Sequence, residues 1–144
     1  MKSSTLKTSL FLILLLLSNF NLIGQIPNWL WAKQTTGNGY SYAQDLTYDE
    51  TNNVYICGYL MGSITFNNQS IFSDNQRAYV AKYNSDGLFQ WVITFPSDDG
   101  SFANKILIDN DNNVIVAGYF QGTLSIGNLT LTTNASDIYL IKLS

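Results

Sequence analysis

The stretch Asp49-Glu50-Thr51-Asn52-Asn53-Val54-Tyr55-Ile56-Cys57-Gly58-Tyr59 returns sixty residues later as Asp109-Asn110-Asp111-Asn112-Asn113-Val114-Ile115-Val116-Ala117-Gly118-Tyr119. Each copy is a turn signal followed by a β-branched and aromatic run, so each reads as a hairpin turn entering a strand. The offset holds in both directions without a gap. Trp31 falls on Trp91, Ser41 on Ser101 and Ala43 on Ala103; Gly62 falls on Gly122, Tyr79 on Tyr139 and Lys82 on Lys142. Self-similarity at a fixed period marks a duplicated supersecondary unit.

Turn residues cut each copy into short strands. The first copy predicts strands near Ala43–Tyr48, Asn53–Leu60, Ile64–Phe66, Ser70–Phe72, Ala78–Tyr83 and Leu88–Thr94. The second predicts them near Ala103–Ile108, Val114–Phe120, Leu124–Ile126, Leu129–Thr132 and Ile138–Leu143. Asn-Asn, Ser-Asp-Gly and Gly-Asn supply the turns. Val114-Ile115-Val116-Ala117 and Tyr139-Leu140-Ile141 are apolar on both faces, which calls for cover on both sides. Stacked sheets give that cover, and the expected fold is all-β: β-propeller-type blades of antiparallel strands. A two-sheet sandwich is the rival. Gly58 and Gly118 are expected where backbones approach closely.

The pattern Ala43, Asp49, Asn53-Val54-Tyr55, Gly58, Gly62, Phe66, Ala78-Tyr79-Val80-Ala81-Lys82-Tyr83, Gly87 and Trp91 resembles the bacterial SBBP-type β-propeller repeat. The second copy adds Ile126-Gly127 and Asp137-Ile138-Tyr139. The first departs at Asn52, where Gly is usual, and at Arg77, where Asp is usual. The resemblance implies a propeller in an exported bacterial protein and no defined activity, because the repeat is a scaffold.

About two blades make an incomplete ring, since propellers close with roughly four to eight. Asn28–Thr36 aligns with the last strand of the first copy, so the chain opens on a last strand and stops one strand short. Two expectations follow and stay open: a fragment of a longer propeller, or a homo-oligomer that closes a ring between chains.

The first 25 residues read as a signal peptide, leaving 26–144 as the repeat region. Lys2 and Lys7 precede the apolar run Ser9 to Leu17, which is short for a membrane span. Cleavage is expected near Gly24-Gln25, with an uncleaved anchor as the rival. The expected destination is secretion or the cell surface, with no transmembrane segment in the mature chain. Residues 26–144 carry five basic and ten acidic side chains, a net charge of −5. With no basic stripe, nucleic acid is not an expected partner.

The chain has no His and one Cys. Its residues therefore hold no Ser–His–Asp or Cys–His apparatus and no His/Cys metal cluster. Cys57 reads as a small core residue. The acids sit mostly in turns, where they act as turn formers. Calcium is the one cofactor the sequence raises, through alternate oxygens at Asp109, Asp111 and Asn113. The segment lacks the Gly and distal Glu of an EF-hand loop, and Thr51 stands where Asp111 does, so a hairpin turn explains both copies better. Asn68, Asn128 and Asn134 begin glycosylation sequons, a short motif common by chance, and the bacterial source that the resemblance implies would leave them unmodified in the usual eukaryotic way.

Tyr40, Asp98 and Asp99, placed in loops before the first strand of each copy, are the candidates for contacting a sugar or peptide. Tyr42 and Phe102, nearby, are expected to pack between blades. The expected function is a non-enzymatic exported scaffold for surface adhesion or for binding protein or glycan. The alternative is part of a propeller hydrolase or lyase whose catalytic residues lie outside this chain.

Overall fold

The computed structural model describes residues 26–144; the signal-peptide reading falls on residues outside them. Among the described residues the chain is all-β, with no helix. Seven strands follow in order: β1 (Gly39–Tyr48), β2 (Val54–Phe66), β3 (Gln69–Tyr83), β4 (Phe89–Phe95), β5 (Ser101–Ile108), β6 (Val114–Ile126) and β7 (Leu129–Leu143). They form two antiparallel sheets, a four-stranded β1-β2-β3-β4 and a three-stranded β5-β6-β7.

The offset of the sequence reappears in the hydrogen-bond register. Ala43 pairs with Gly58 and Tyr48 with Val54; Ala103 pairs with Gly118 and Ile108 with Val114. Both ladders slip at the same place, between Ala43 and Asp45 and between Ala103 and Lys105. A bulge there leaves Gln44 and Asn104 unpaired and sharpens the local twist. Opposite it, a Cβ on Gly58 would lie 1.8 Å from the Tyr42 carbonyl oxygen, and one on Gly118 would lie 1.9 Å from that of Phe102. The expected close approach is therefore between neighbouring strands of one sheet.

The β1–β2 and β5–β6 connections are the same turn. Asn52 N–H donates to the Asp49 carbonyl at 2.9 Å, and Asn112 N–H to that of Asp109 at 3.0 Å. Asn52 and Asn112 sit at φ of 62° and 61°, a left-handed conformation that Asn tolerates.

Fewer and longer strands form than the turn signals predict. Asn53–Leu60 and Ile64–Phe66 belong to one strand, β2; Ser70–Phe72 and Ala78–Tyr83 belong to β3. The ladder shifts register between Leu60 and Gly62 and continues, so Gly62 and the polar run Ser73–Arg77 bend the hairpin without ending it.

The sheets stack through a shared core. Cys57, Ala78, Val80 and Phe95 of the first meet Val116, Leu124, Tyr139 and Ile141 of the second. Full burial of a side chain the size of Val80 or Leu124 contributes about 1.5–3 kcal/mol. Ser101, itself buried, ties the layers: its hydroxyl accepts the Ala78 N–H at 2.9 Å and donates to the Phe95 carbonyl. The opposite face of the first sheet carries its own cluster, including Leu60, Ile64, Tyr79 and Ala81.

The N-terminal segment lies beside that second cluster and does not form the expected strand. Residues 26–35 have no ladder partner among the described residues, and Thr36 makes a single bridge to Thr65. Thr36 and Thr65 exchange both backbone hydrogen bonds, at 3.0 and 2.8 Å. Sixty residues on, Ser125 N–H reaches the Pro96 carbonyl at 2.9 Å. Pro96 has no N–H to return the bond.

Candidate functional site

At one end of the second sheet the β6 bend and the β7 polar run enclose an open cleft of about 1080 Å³. Its walls are hydroxyl, amide and carboxylate groups: Asp99, Gln121, Thr123, Thr133, Asn134 and Ser136. Gly122 shapes it. It adopts φ +73°, and a Cβ there would lie 2.9 Å from an Asp99 carboxylate oxygen, so glycine lets that carboxylate lie over the bend. The rim is braced from both sheets. The Asp98 N–H donates to the Thr123 carbonyl at 3.2 Å, the Ser97 hydroxyl donates to the Gln121 carbonyl, and the Asn75 amide reaches the Ser97 carbonyl at 3.4 Å.

The three sequence candidates do not converge. Asp99 lines this cleft, and Asp98 contributes through its backbone at the rim. Tyr40 lies inside β1 rather than in a loop, paired with Met61, and lines a smaller cleft of about 200 Å³ with Phe72 and Asp74. That cleft is the first sheet's counterpart of the larger one. The run Thr132–Ser136 escaped the sequence reading because its polarity looked like a break between strands. Asn134-Ala135-Ser136, noticed only as a sequon, was the available signal.

An aromatic ladder crosses from sheet to sheet. Tyr42 stacks on Tyr59 at 5.0 Å, Tyr59 meets Phe102 edge-on at 4.8 Å, and Phe102 stacks on Tyr119 at 4.5 Å. Phe102 therefore packs between sheets as expected. Tyr42 remains 49% exposed because no sheet precedes its own among the described residues.

The Asp109 carboxylate is turned onto its own loop. One oxygen accepts the backbone N–H groups of Asp111 and Asn113, each at 2.9 Å. The other sits 2.6 Å from the Lys142 ammonium. Lys142, with the Asn113 and Asp111 donors, holds this carboxyl well below the usual carboxylate range. An incoming cation must displace an ammonium and two N–H donors that already serve the hairpin. Among the described residues no cluster of three His, Cys, Asp or Glu side chains has metal-binding geometry. Asp49 repeats the arrangement. Burial acts to raise its carboxyl, but hydrogen bonds from Asn53 and Thr51 outweigh it and hold the group far below the ordinary value.

Cys57 is fully buried, its sulfur 3.6 Å from the Ala103 carbonyl oxygen of the facing sheet. Burial pushes the thiol up to about 11, which leaves it protonated and unreactive at neutral pH.

Compared with protein-family models, with curated proteins and with solved structures, the chain finds no match in any of the three.

Proposed function

We propose that this chain is an exported, non-enzymatic repeat scaffold of the β-propeller type, each sheet serving as a blade of an incomplete ring, which binds glycan or protein at the strand ends. The cleft at the end of the second sheet carries the reading. Its walls offer hydrogen-bonding groups of both polarities with one carboxylate, and more polar than apolar surface. Such a lining suits a polyhydroxylated or peptidic ligand better than an apolar one. Two further features support it: the repeat resembles the SBBP type, and the first 25 residues have the layout of a signal peptide.

The test is a glycan and peptide array probed with the purified chain, followed by Asp99→Ala and Thr133→Ala variants. The reading predicts a carbohydrate or peptide ligand whose binding falls at least tenfold in Asp99→Ala while the melting temperature stays put. A ligand indifferent to both substitutions, or no ligand on either array, counts against it.

A further inference from the structure

The two copies hold equivalent residues in very different surroundings. Ala78 and Val80 of β3 are 0% exposed where the second sheet covers them, whereas their counterparts Ile138 and Leu140 of β7 are 86% and 74% exposed. The contrast reverses on the other side of the interface. Ile106 of β5 is 6% exposed against the first sheet, and its counterpart Leu46 of β1 is 61% exposed. On that side the open part is the β1 end, Ala43 and Leu46, because Leu60, Ile64, Tyr79 and Ala81, the counterparts of Phe120, Leu124, Tyr139 and Ile141, are already buried in the single chain. The molecule thus leaves open the face of β7 and, on the other side, the β1 end of the first sheet.

The edges match as well. Within the first sheet β4 pairs with β3, setting Phe95 opposite Ala78, Ile93 opposite Val80 and Trp91 opposite Lys82. No strand covers the equivalent edge of β7 among the described residues. The segment equivalent to β4, residues 29–35, has no ladder partner, and its Trp29 is 97% exposed. This segment is already placed on the first sheet as β4 is placed on the second. The Thr65 N–H donates to the Thr36 carbonyl as the Ser125 N–H donates to that of Pro96. Ser41 and Thr35 also meet, hydroxyl to hydroxyl at 2.7 Å, where Ser101 instead donates to the main-chain carbonyl of Phe95, the residue sixty beyond Thr35.

We propose that copies of this chain associate head to tail, the first sheet of one copy stacking on the exposed face of β6 and β7 of another, and its residues 29–35 pairing with β7 as a fourth strand. Thr35 then stands opposite Ile138, Lys33 opposite Leu140 and Trp31 opposite Lys142. Tyr119 of one copy meets Tyr42 of the next and extends the aromatic ladder. The operation relating the copies is the one relating the two sheets within a chain. The contact is heterologous, and it yields a ring if that rotation closes and a filament if it does not. Several internal ties are not reproduced: Ala117 stands where Cys57 approaches the Ala103 carbonyl, and Ala135 where the Asn75 amide reaches the Ser97 carbonyl. Asp45 accepts the Ile106 N–H at 3.1 Å across the internal interface, and Lys105 at the equivalent position offers no acceptor. The contact between copies is therefore weaker than the one within a chain.

The experiment uses the chain as an exporting host secretes it, its N-terminus read by mass spectrometry. Light scattering over a concentration series is expected to show mass rising from one chain to multiples. Tryptophan emission should shift to the blue as Trp29 leaves water. Two variants then separate head-to-tail contact from any symmetric dimer. A head variant carries Trp29→Asp and Leu46→Asp; a tail variant carries Ile138→Asp and Leu140→Asp. All four positions are exposed in the single chain, so circular dichroism should match the parent. Each variant alone is expected to have the mass of one chain, and an equimolar mixture the mass of two and no more. A parent of single-chain mass at every concentration overturns the proposal, as does a mixture that stays monomeric while the parent assembles. Ligand binding at the strand-end cleft is unaffected by the four substitutions, so the two readings fail independently.

Discussion

Replacing Asp49 by Ala removes the acceptor around which the first hairpin turn is folded. Its carboxylate takes five hydrogen bonds at 2.7–3.1 Å, from the Thr51 N–H and hydroxyl, the Asn53 N–H and amide, and the Tyr55 hydroxyl. A hydrogen bond to a charged group contributes about 1.5–3 kcal/mol net, but the five are not additive, because water re-solvates most of the donors in an open turn. The Tyr55 hydroxyl is different. Its residue is 4% exposed, so its donor is stranded when the carboxylate goes. The expected destabilisation is about 3 kcal/mol, one charged bond lost with one buried donor left unmade. For a domain of this size that corresponds to roughly 10 °C in melting temperature.

The molecule supplies its own control. Asp109 builds the same turn, but Ile115 replaces Tyr55, so no buried donor is stranded. Asp109→Ala should cost less than half as much, its ion pair with a half-exposed Lys142 adding little. Urea unfolding followed by circular dichroism at neutral pH measures both variants. Equal losses, or a loss below about 1 kcal/mol for Asp49→Ala, refute the reasoning. The sign with pH follows from the depressed carboxyl. The folded state binds fewer protons than the unfolded one, so this contribution is complete above the unfolded value of about 3.9 and fades as the pH falls below it. The parent should therefore lose stability on acidification more steeply than Asp49→Ala does.

Native Cys57 should resist alkylation at neutral pH for as long as the fold persists, and react at once in denaturant; rapid labelling of the native chain would show that the sheets do not seal it. Gly118→Ala should abolish soluble folded protein, because its Cβ meets the Phe102 carbonyl oxygen at 1.9 Å, whereas Gly127→Ala meets nothing within 4 Å and should lose only the modest cost of a left-handed φ. Calcium should leave the melting temperature unchanged, since the Asp109 oxygens already serve Lys142 and the turn; a shift abolished by Asp109→Asn would show otherwise.

The repeat, the all-β class and the hairpin turns were legible because each depends on local chemistry. Asp49 and Asp109 accept bonds from residues two and four further on, and Asn52 and Asn112 take the positive φ themselves. The lengths of β2 and β3 were not legible. Gly62 and the run Ser73–Arg77 look like breaks, yet a register shift carries the ladder through them. Burial was legible only in part. Val80 and Leu140 are both apolar strand residues, but one is buried and the other exposed, and the difference lies in the neighbouring sheet. The cleft was hidden for a related reason. Asp99 lies far in sequence from Thr132–Ser136, and only the β6 bend at Gly122 brings them together.

The stacking of one sheet on the other underlies the cleft rim, the burial of Cys57 and the proposed association alike. Its most direct test is a double-mutant cycle across the interface at Phe95 and Tyr139, whose rings meet edge-on with centroids 6.1 Å apart. With Phe95→Leu, Tyr139→Leu and the pair measured by urea unfolding, stacked sheets predict a coupling of about 1 kcal/mol. Strictly additive losses would contradict the stacked arrangement.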